Sequence, residues 1–246
     1  MTAYYPAGEE AYAQQVNQTV EKAVDQLSRL FGQAAPRLQL LIVAADDWDA
    51  APHDDEEELS APYPYFTEAT LPPTVVVPVA SDVTSDPLVQ EKLTFALYHE
   101  LTLAFLEDDP RPWPEDYPLW ADEWQIKFVA LWLAHTLDNQ QGIVSKDLYE
   151  EYAAAFEQEV DGKTLFTIRE FEWYEDTEPE DYLCFEILLE QFAADLLEKY
   201  DINIVLRFQD RYRAEQKNLS NDDVMAMLAD ALGPDGQGWL KPLPYF

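Results

Sequence analysis

A histidine followed at once by a glutamate, His99-Glu100, lies in the stretch Tyr98-His99-Glu100-Leu101-Thr102-Leu103. On a helix, residue 103 stands one turn beyond residue 99, the separation at which two imidazoles can share a metal ion. A glutamate next to the first imidazole points beside that face. There its carboxylate can take a proton from a metal-bound water and pass it to a leaving amine. Zinc sites of this kind are written H-E-x-x-H; here the second imidazole is replaced by Leu103, which coordinates nothing. Taken alone, the dipeptide reads as a partly buried histidine beside a solvated helix glutamate. Nineteen residues separate Leu103 from Glu123, in Leu119-Trp120-Ala121-Asp122-Glu123.

These residues need elements to hold them. Leu88 to Phe105 has the make-up of a helix, opened by Asp86-Pro87 as N-cap and first-turn residue, and it carries the His-Glu pair. Prolines and a tryptophan crowd Asp109 to Pro114, a rigid loop before a helix expected from about Pro118 to Leu137, which carries Glu123. Upstream, Ala13, Val16, Val20, Ala23, Val24, Leu27 and Leu30 recur every three or four residues, predicting an amphipathic helix from Glu9 to Phe31 that Gly32 ends. Leu38 to Ala44 reads as a short buried strand, and Asp46 to Pro64 as an exposed loop. Thr74 to Val79 reads as a second strand that Pro78 confines to a sheet edge or a strand end. Further helices are expected at Lys146 to Val160, Glu180 to Tyr200, Ile202 to Glu215 and Asp222 to Leu232, with an extended piece at Leu165 to Trp173.

The charge narrows the classes of function. Acidic residues outnumber basic ones 49 to 15 in 246 residues, a formal net charge of −34. Direct nucleic-acid binding is excluded as a leading expectation, because phosphate contacts need clustered Lys and Arg. A basic partner or cation, high salt, solubility and imitation of a polyanion all fit such a charge. The acid is spread along the whole chain, which favours a solvated surface. No apolar run near the start approaches the roughly 20 residues of a membrane span, and no basic segment leads into one, so neither membrane insertion nor export is expected. A single cysteine, Cys184, fits a reducing cytoplasm and reads as a small buried hydrophobe.

The region from His99 to Glu123 resembles the gluzincin metallopeptidases, the thermolysin-like and aminopeptidase-like group of the peptidase MA clan. In these, H-E-x-x-H is followed at a comparable distance by a glutamate ligand, and Trp120-Ala121-Asp122-Glu123 looks like the segment supplying it. A helix, a strand and an edge strand that lies along the substrate precede the metal helix in such proteins, matching in order Glu9 to Phe31, Leu38 to Ala44 and Thr74 to Val79. The resemblance implies an α+β fold: a small helix-and-sheet lobe (1–109) ending in the His99-Glu100 helix, a mainly helical lobe (110–246) carrying Glu123, and a cleft between them. It makes His99 the first metal ligand, Glu100 the general base and Glu123 the third ligand. Leu103 departs from the pattern, and Trp124 stands where a glycine is common. One histidine and one carboxylate leave a catalytic zinc site, which has three protein ligands and a water, one ligand short.

The two other histidines do not obviously fill the gap. Twelve residues at about 100° each turn His135 roughly 120° away from Glu123 around the helix, and His53 lies in the acidic loop. Trp113, Trp120, Trp124 and Trp132 could line a pocket but more often fill a core at helical spacing. Tyr63, Tyr65 and Phe66 could border a groove, or anchor a loop. The run Asp54 to Glu58 lacks the glycine and spaced oxygens of a calcium loop. The leading expectation is therefore a degenerate metallopeptidase-like protein, catalytically inactive and without zinc, that binds a peptide or protein, possible basic partners included. An active metal-dependent hydrolase with a non-standard ligand set, binding zinc, is the alternative. An acidic interaction protein or polyanion mimic on the same scaffold is the third.

Overall fold

The computed structural model describes residues 2–54, 62–79, 87–156, 159–160, 163–164, 166–172 and 177–246. The protein is α+β: a small mixed sheet and many helices. It divides into two compact units, Met1–Asp109 with Leu133–Asn139, and Pro110–Trp132 with Gln140–Phe246. A single cut after residue 109 does not describe this division, because the end of the helix carrying Glu123 groups with the first unit.

The first unit is built on four strands, β1 (Thr2–Tyr4), β2 (Gln39–Val43), β3 (Tyr65–Thr67) and β4 (Thr74–Pro78), in the order β1-β2-β4-β3. β1, β2 and β4 run parallel and β3 antiparallel to β4. Between β1 and β2 comes α1 (Glu10–Phe31), whose Ala13, Val16, Val20, Ala23 and Leu27 are buried, as the apolar spacing predicts. Gly32 ends it at φ 65°, a left-handed conformation that costs glycine little.

Of the two places open to Pro78, the structure takes the strand end, and the expectation from the resemblance that Thr74 to Val79 is the edge strand is corrected. β4 pairs on both sides, with β2 and β3, and all five of its residues are buried. A proline removes only one ladder donor; the pairing with β3 ends at Val76, while on the β2 side the Val79 N–H still donates to the Val43 carbonyl at 2.8 Å. The edge on this side is β3, formed by residues read as loop or groove. The Asp46–Pro64 stretch is also not simply exposed. Ala45–Ala50 winds into a 3-10 turn, and Trp48 and Ala51 are buried with Val43 and Val76 in a small satellite core. The part of the Asp54–Glu58 run beyond Asp54 lies outside the described residues, as does Asp86 of the expected helix start.

α2 (Pro87–Glu107) buries Leu93, Leu97, Tyr98, Leu101, Ala104 and Phe105. Its end is fixed to α1 by Gln33, whose Nε2 donates to the Phe105 carbonyl at 2.9 Å, and by stacking of Phe31 on Phe105. The Tyr98 hydroxyl donates to Asp138 at 2.8 Å.

The second unit takes most of α3 (Trp120–Leu137), then α4 (Lys146–Phe156), α5 (Pro179–Lys199), α6 (Ile204–Tyr212), α7 (Asn221–Leu232) and α8 (Gly236–Leu240). The helix expected from Lys146 to Val160 stops at Phe156, and Val160 instead belongs to β5 (Glu159–Val160), which pairs with β6 (Lys163–Thr164). The expected extended piece is corrected in its described part, where Ile168–Glu170 forms a 3-10 turn capped by the Thr167 hydroxyl; Leu165 and Trp173 lie outside the described residues. Trp120 and Trp124 are fully buried: Trp120 meets Phe246 edge-on, and Trp124 packs on Phe128, Phe192 and Phe208. Trp113 meets Tyr117 and Tyr212. Trp120 and Trp124 are core residues of the helical unit, and Trp113 is half-buried at its side. Cys184 is buried, as a small hydrophobe would be.

The satellite core of the first unit generates a test. Tyr65 packs edge-on against Trp48 and donates its hydroxyl to the Pro52 carbonyl at 2.9 Å. Burial, assisted by the Asp54 charge, pushes its pKa up to about 12. A phenol whose folded pKa lies above its unfolded value stabilises the fold below pH 10, and this contribution is lost as pH rises towards 12. Thermal unfolding measured between those pH values should fall less steeply in Tyr65→Phe than in the native chain; parallel slopes would show that Tyr65 does not contribute.

Candidate functional site

His99, Glu100 and Leu103 share one half-buried stripe of α2 with Lys92 and Ala96, while the rest of the helix is mostly core. The stripe follows from the helical repeat, since these positions fall three, four, seven and eight residues apart. Leu103 therefore occupies the side on which a second imidazole would have to stand.

Glu100 is held at both oxygens. Its Oε1 lies 2.9 Å from His99 Nδ1, and its Oε2 accepts the Phe66 backbone N–H at 2.9 Å. Phe66 is the middle residue of β3. The carboxylate expected to act as general base thus bridges the imidazole and the edge strand, and it satisfies an amide that an edge strand leaves without a ladder partner. His99 and Glu100 are only slightly exposed, at 17% and 15% of their side chains, so both contacts are made largely out of water and gain strength accordingly.

Glu123 belongs to the second unit, in the first turn of α3, where its backbone N–H donates to Asp122 Oδ1 at 3.1 Å. It contributes to the field around Lys127, one turn further along. Lys127 is a buried cation in an otherwise apolar stretch of α3, ion-paired to Glu186 of α5. Burial alone would draw its pKa down. The carboxylate of Glu186, with those of Glu190 and Glu123, outweighs burial and raises it above the ordinary lysine value. Glu190, itself 2% exposed, accepts the backbone N–H groups of Val144 and, at 3.0 Å, Ser145, just before α4 begins. It thereby holds the two residues that lead into the helix.

The remaining candidates have local roles. His53 Nδ1 lies 2.8 Å from the Ala51 carbonyl within its own loop, and His135 stands in the last turn of α3. Among the described residues, no group of three or more His, Cys, Asp and Glu is placed to hold a metal ion. The donor set on the α2 stripe, one imidazole beside a carboxylate committed to a backbone amide, does not fit a zinc centre with three protein ligands. Sequence reasoning missed the Phe66 amide and the Lys127 cluster. A lone lysine inside the apolar run Ile126–Ala134, with Glu186 and Glu190 one turn apart on another helix, was the available signal for the latter.

No protein-family model matches this chain, and no curated protein is similar to it in sequence. No helix among the described residues is long and apolar enough to cross a membrane.

Two substitutions test these contacts. Glu100→Ala should remove the acceptor from the Phe66 amide and speed its hydrogen exchange selectively within β3, with a loss of about 1–3 kcal/mol of stability. An unchanged exchange rate at Phe66 would place Glu100 elsewhere. Lys127→Met should strand its carboxylate partners and cost roughly 3–5 kcal/mol. Adding Glu186→Leu should restore part of that loss in a double-mutant cycle, and purely additive effects would refute the coupling.

Proposed function

We propose that this chain is a degenerate gluzincin-like protein that binds an extended peptide segment and does not cleave it. The observation that carries the reading is Glu100, tied to His99 and to the edge strand β3 on the same stripe where Leu103 stands in place of a second imidazole. The order of elements is offered in support of a gluzincin-like scaffold: the helix α1, the strand β2, the edge strand β3, the inner strand β4 and then the His-Glu helix. In this reading the edge strand is β3, not the strand carrying Pro78.

The physical step is strand addition. One side of β3 is paired to β4, and a peptide laid along the other offers a carbonyl to the Phe66 N–H, replacing the Glu100 carboxylate there. The exposed Tyr63, two residues before β3, supplies an aromatic contact beside it. With a net charge of −34, a basic segment is steered to the protein faster than an acidic one. Catalysis is disfavoured because the base is committed and the ligand set is short of a donor.

The test has two arms. Protein purified from zinc-supplemented buffer should carry far less than one zinc per chain by elemental analysis and leave fluorescent casein uncut. One tightly held zinc per chain, with a casein-cleaving activity lost in Glu100→Gln, would overturn the reading in favour of an active hydrolase. A peptide alternating lysine and valine should shift the amide resonances of Tyr65–Thr67. Binding that leaves those amides unmoved would reject strand addition at β3.

A further inference from the structure

In the second unit, remote in sequence from the His-Glu pair, a groove of about 730 Å³ runs along α7 and α8. Its floor is one stripe of α7, in which Asp222, Met225, Ala226, Ala229 and Asp230 recur at helical spacing and are not among the core residues of that helix, with Gly233 just past its end. Val224, Leu228, Ala231 and Leu232 turn the opposite way into the core. α8 lies tight against α7, because Gly236 has no room for a side chain: a Cβ there would strike the Ala229 carbonyl. Leu240 closes the apolar surface.

The charges of the groove run against those of the chain. Arg169, Arg211 and Lys241 line it with only two acids, Asp222 and Asp230, so it carries one excess positive charge in a protein carrying 34 excess negative ones. The cations are not used up internally. Arg169 pairs with Asp222 at 3.0 Å, but that carboxylate is 94% exposed, and Arg169 Nε is buried without an acceptor. Arg211 pairs with Asp230, with both side chains at least half exposed. Exposed pairs of this kind hold weakly and exchange readily. The Lys241 ammonium has no partner among the described residues. The chain also fixes Arg169 in place. The Thr167 cap shapes its turn, the Ile168 N–H donates to the Tyr245 carbonyl at 2.9 Å, and the guanidinium lies over the Phe246 ring.

We propose that this groove is a binding site for a small apolar carboxylate. The volume suits a small molecule and not a macromolecular surface. The floor of Met225, Ala226, Ala229 and Leu240 takes the hydrocarbon. Lys241 Nζ supplies a donor that lacks an acceptor, Arg169 and Arg211 add positive charge beside it, and a carboxylate gives the ammonium a partner. A neutral ligand would leave that ammonium as it is, and a dianion would face Asp222 and Asp230.

The full-length chain titrated with octanoate and, separately, with octanol tests this by calorimetry and amide chemical shifts. Octanoate should bind once per chain, shift the amides of α7 and α8, and weaken as salt is raised. Octanol should bind at least roughly tenfold more weakly. Lys241→Gln, on an exposed side chain that folding does not require, and Arg169→Gln should each weaken octanoate by roughly tenfold, with circular dichroism confirming the fold. Equal binding of the acid and the alcohol, no saturable octanoate binding in the millimolar range, or octanoate affinity untouched in Lys241→Gln would overturn the proposal. So would a phenylalanine-ending tripeptide that binds through its free C-terminus where octanoate does not.

Discussion

With 49 carboxylates and 15 cations, most acidic side chains of this chain cannot find an ion-pair partner. Those left in water cost little, but each one brought into contact with the fold needs some other donor. The backbone supplies it. Glu100 takes the Phe66 amide, Glu190 those of Val144 and Ser145, Asp223 that of Ser220, Asp201 that of Asn203 and Asp54 that of Glu68. Tyrosine hydroxyls serve in the same way, Tyr98 for Asp138 and Tyr245 for Asp195. The carboxylates thereby become caps for edge strands, helix starts and turns. The acid excess is therefore partly structural, with anions closing the ends of elements from which N–H groups project.

The same scarcity gives weight to where the few cations are placed. Lys127 sits inside the helical unit, where its ammonium meets Glu186 within a field that also includes Glu190 and Glu123. Removing water from a lysine is costly, and only a matched set of carboxylates makes such a site tolerable. Because Glu190 also holds the start of α4, the charge and the helix geometry there depend on one another. Glu123 belongs to this arrangement. A carboxylate at a metal ligand's distance along the sequence is also, in its own unit, part of the field that keeps a buried lysine charged.

Helices were legible wherever apolar positions recurred over several turns. α1 buries the residues its spacing marks, and Gly32 ends it in the left-handed conformation that its position suggests. The strands were less legible, for two physical reasons. β1 and β3 are only three residues long, too short for a two-residue alternation to show, and β3 lies between proline-bearing stretches that read as loop. Pro78 allowed either a sheet edge or a strand end, and which of the two it takes depends on what pairs beside it, which is a tertiary fact. The α5 pair of Glu186 and Glu190 looked like any exposed helix face. Nothing local distinguishes a solvated glutamate from one that will meet a buried lysine from another helix.

The side chain at residue 103 decides what the stripe of α2 can present. His99, Glu100 and residue 103 reach one stripe because helical geometry puts them there, whatever the residue at 103 is. With an imidazole at that position, the stripe would present two nitrogen donors and a carboxylate free to act on water. With leucine, it presents one imidazole, and the carboxylate is better used as an acceptor. The Phe66 amide of an edge strand is a donor that needs one. With no second imidazole at residue 103, nothing on this stripe competes for the bond between Glu100 and β3. Under that bond the edge strand is capped from within, and a peptide that joins the sheet must first displace Glu100.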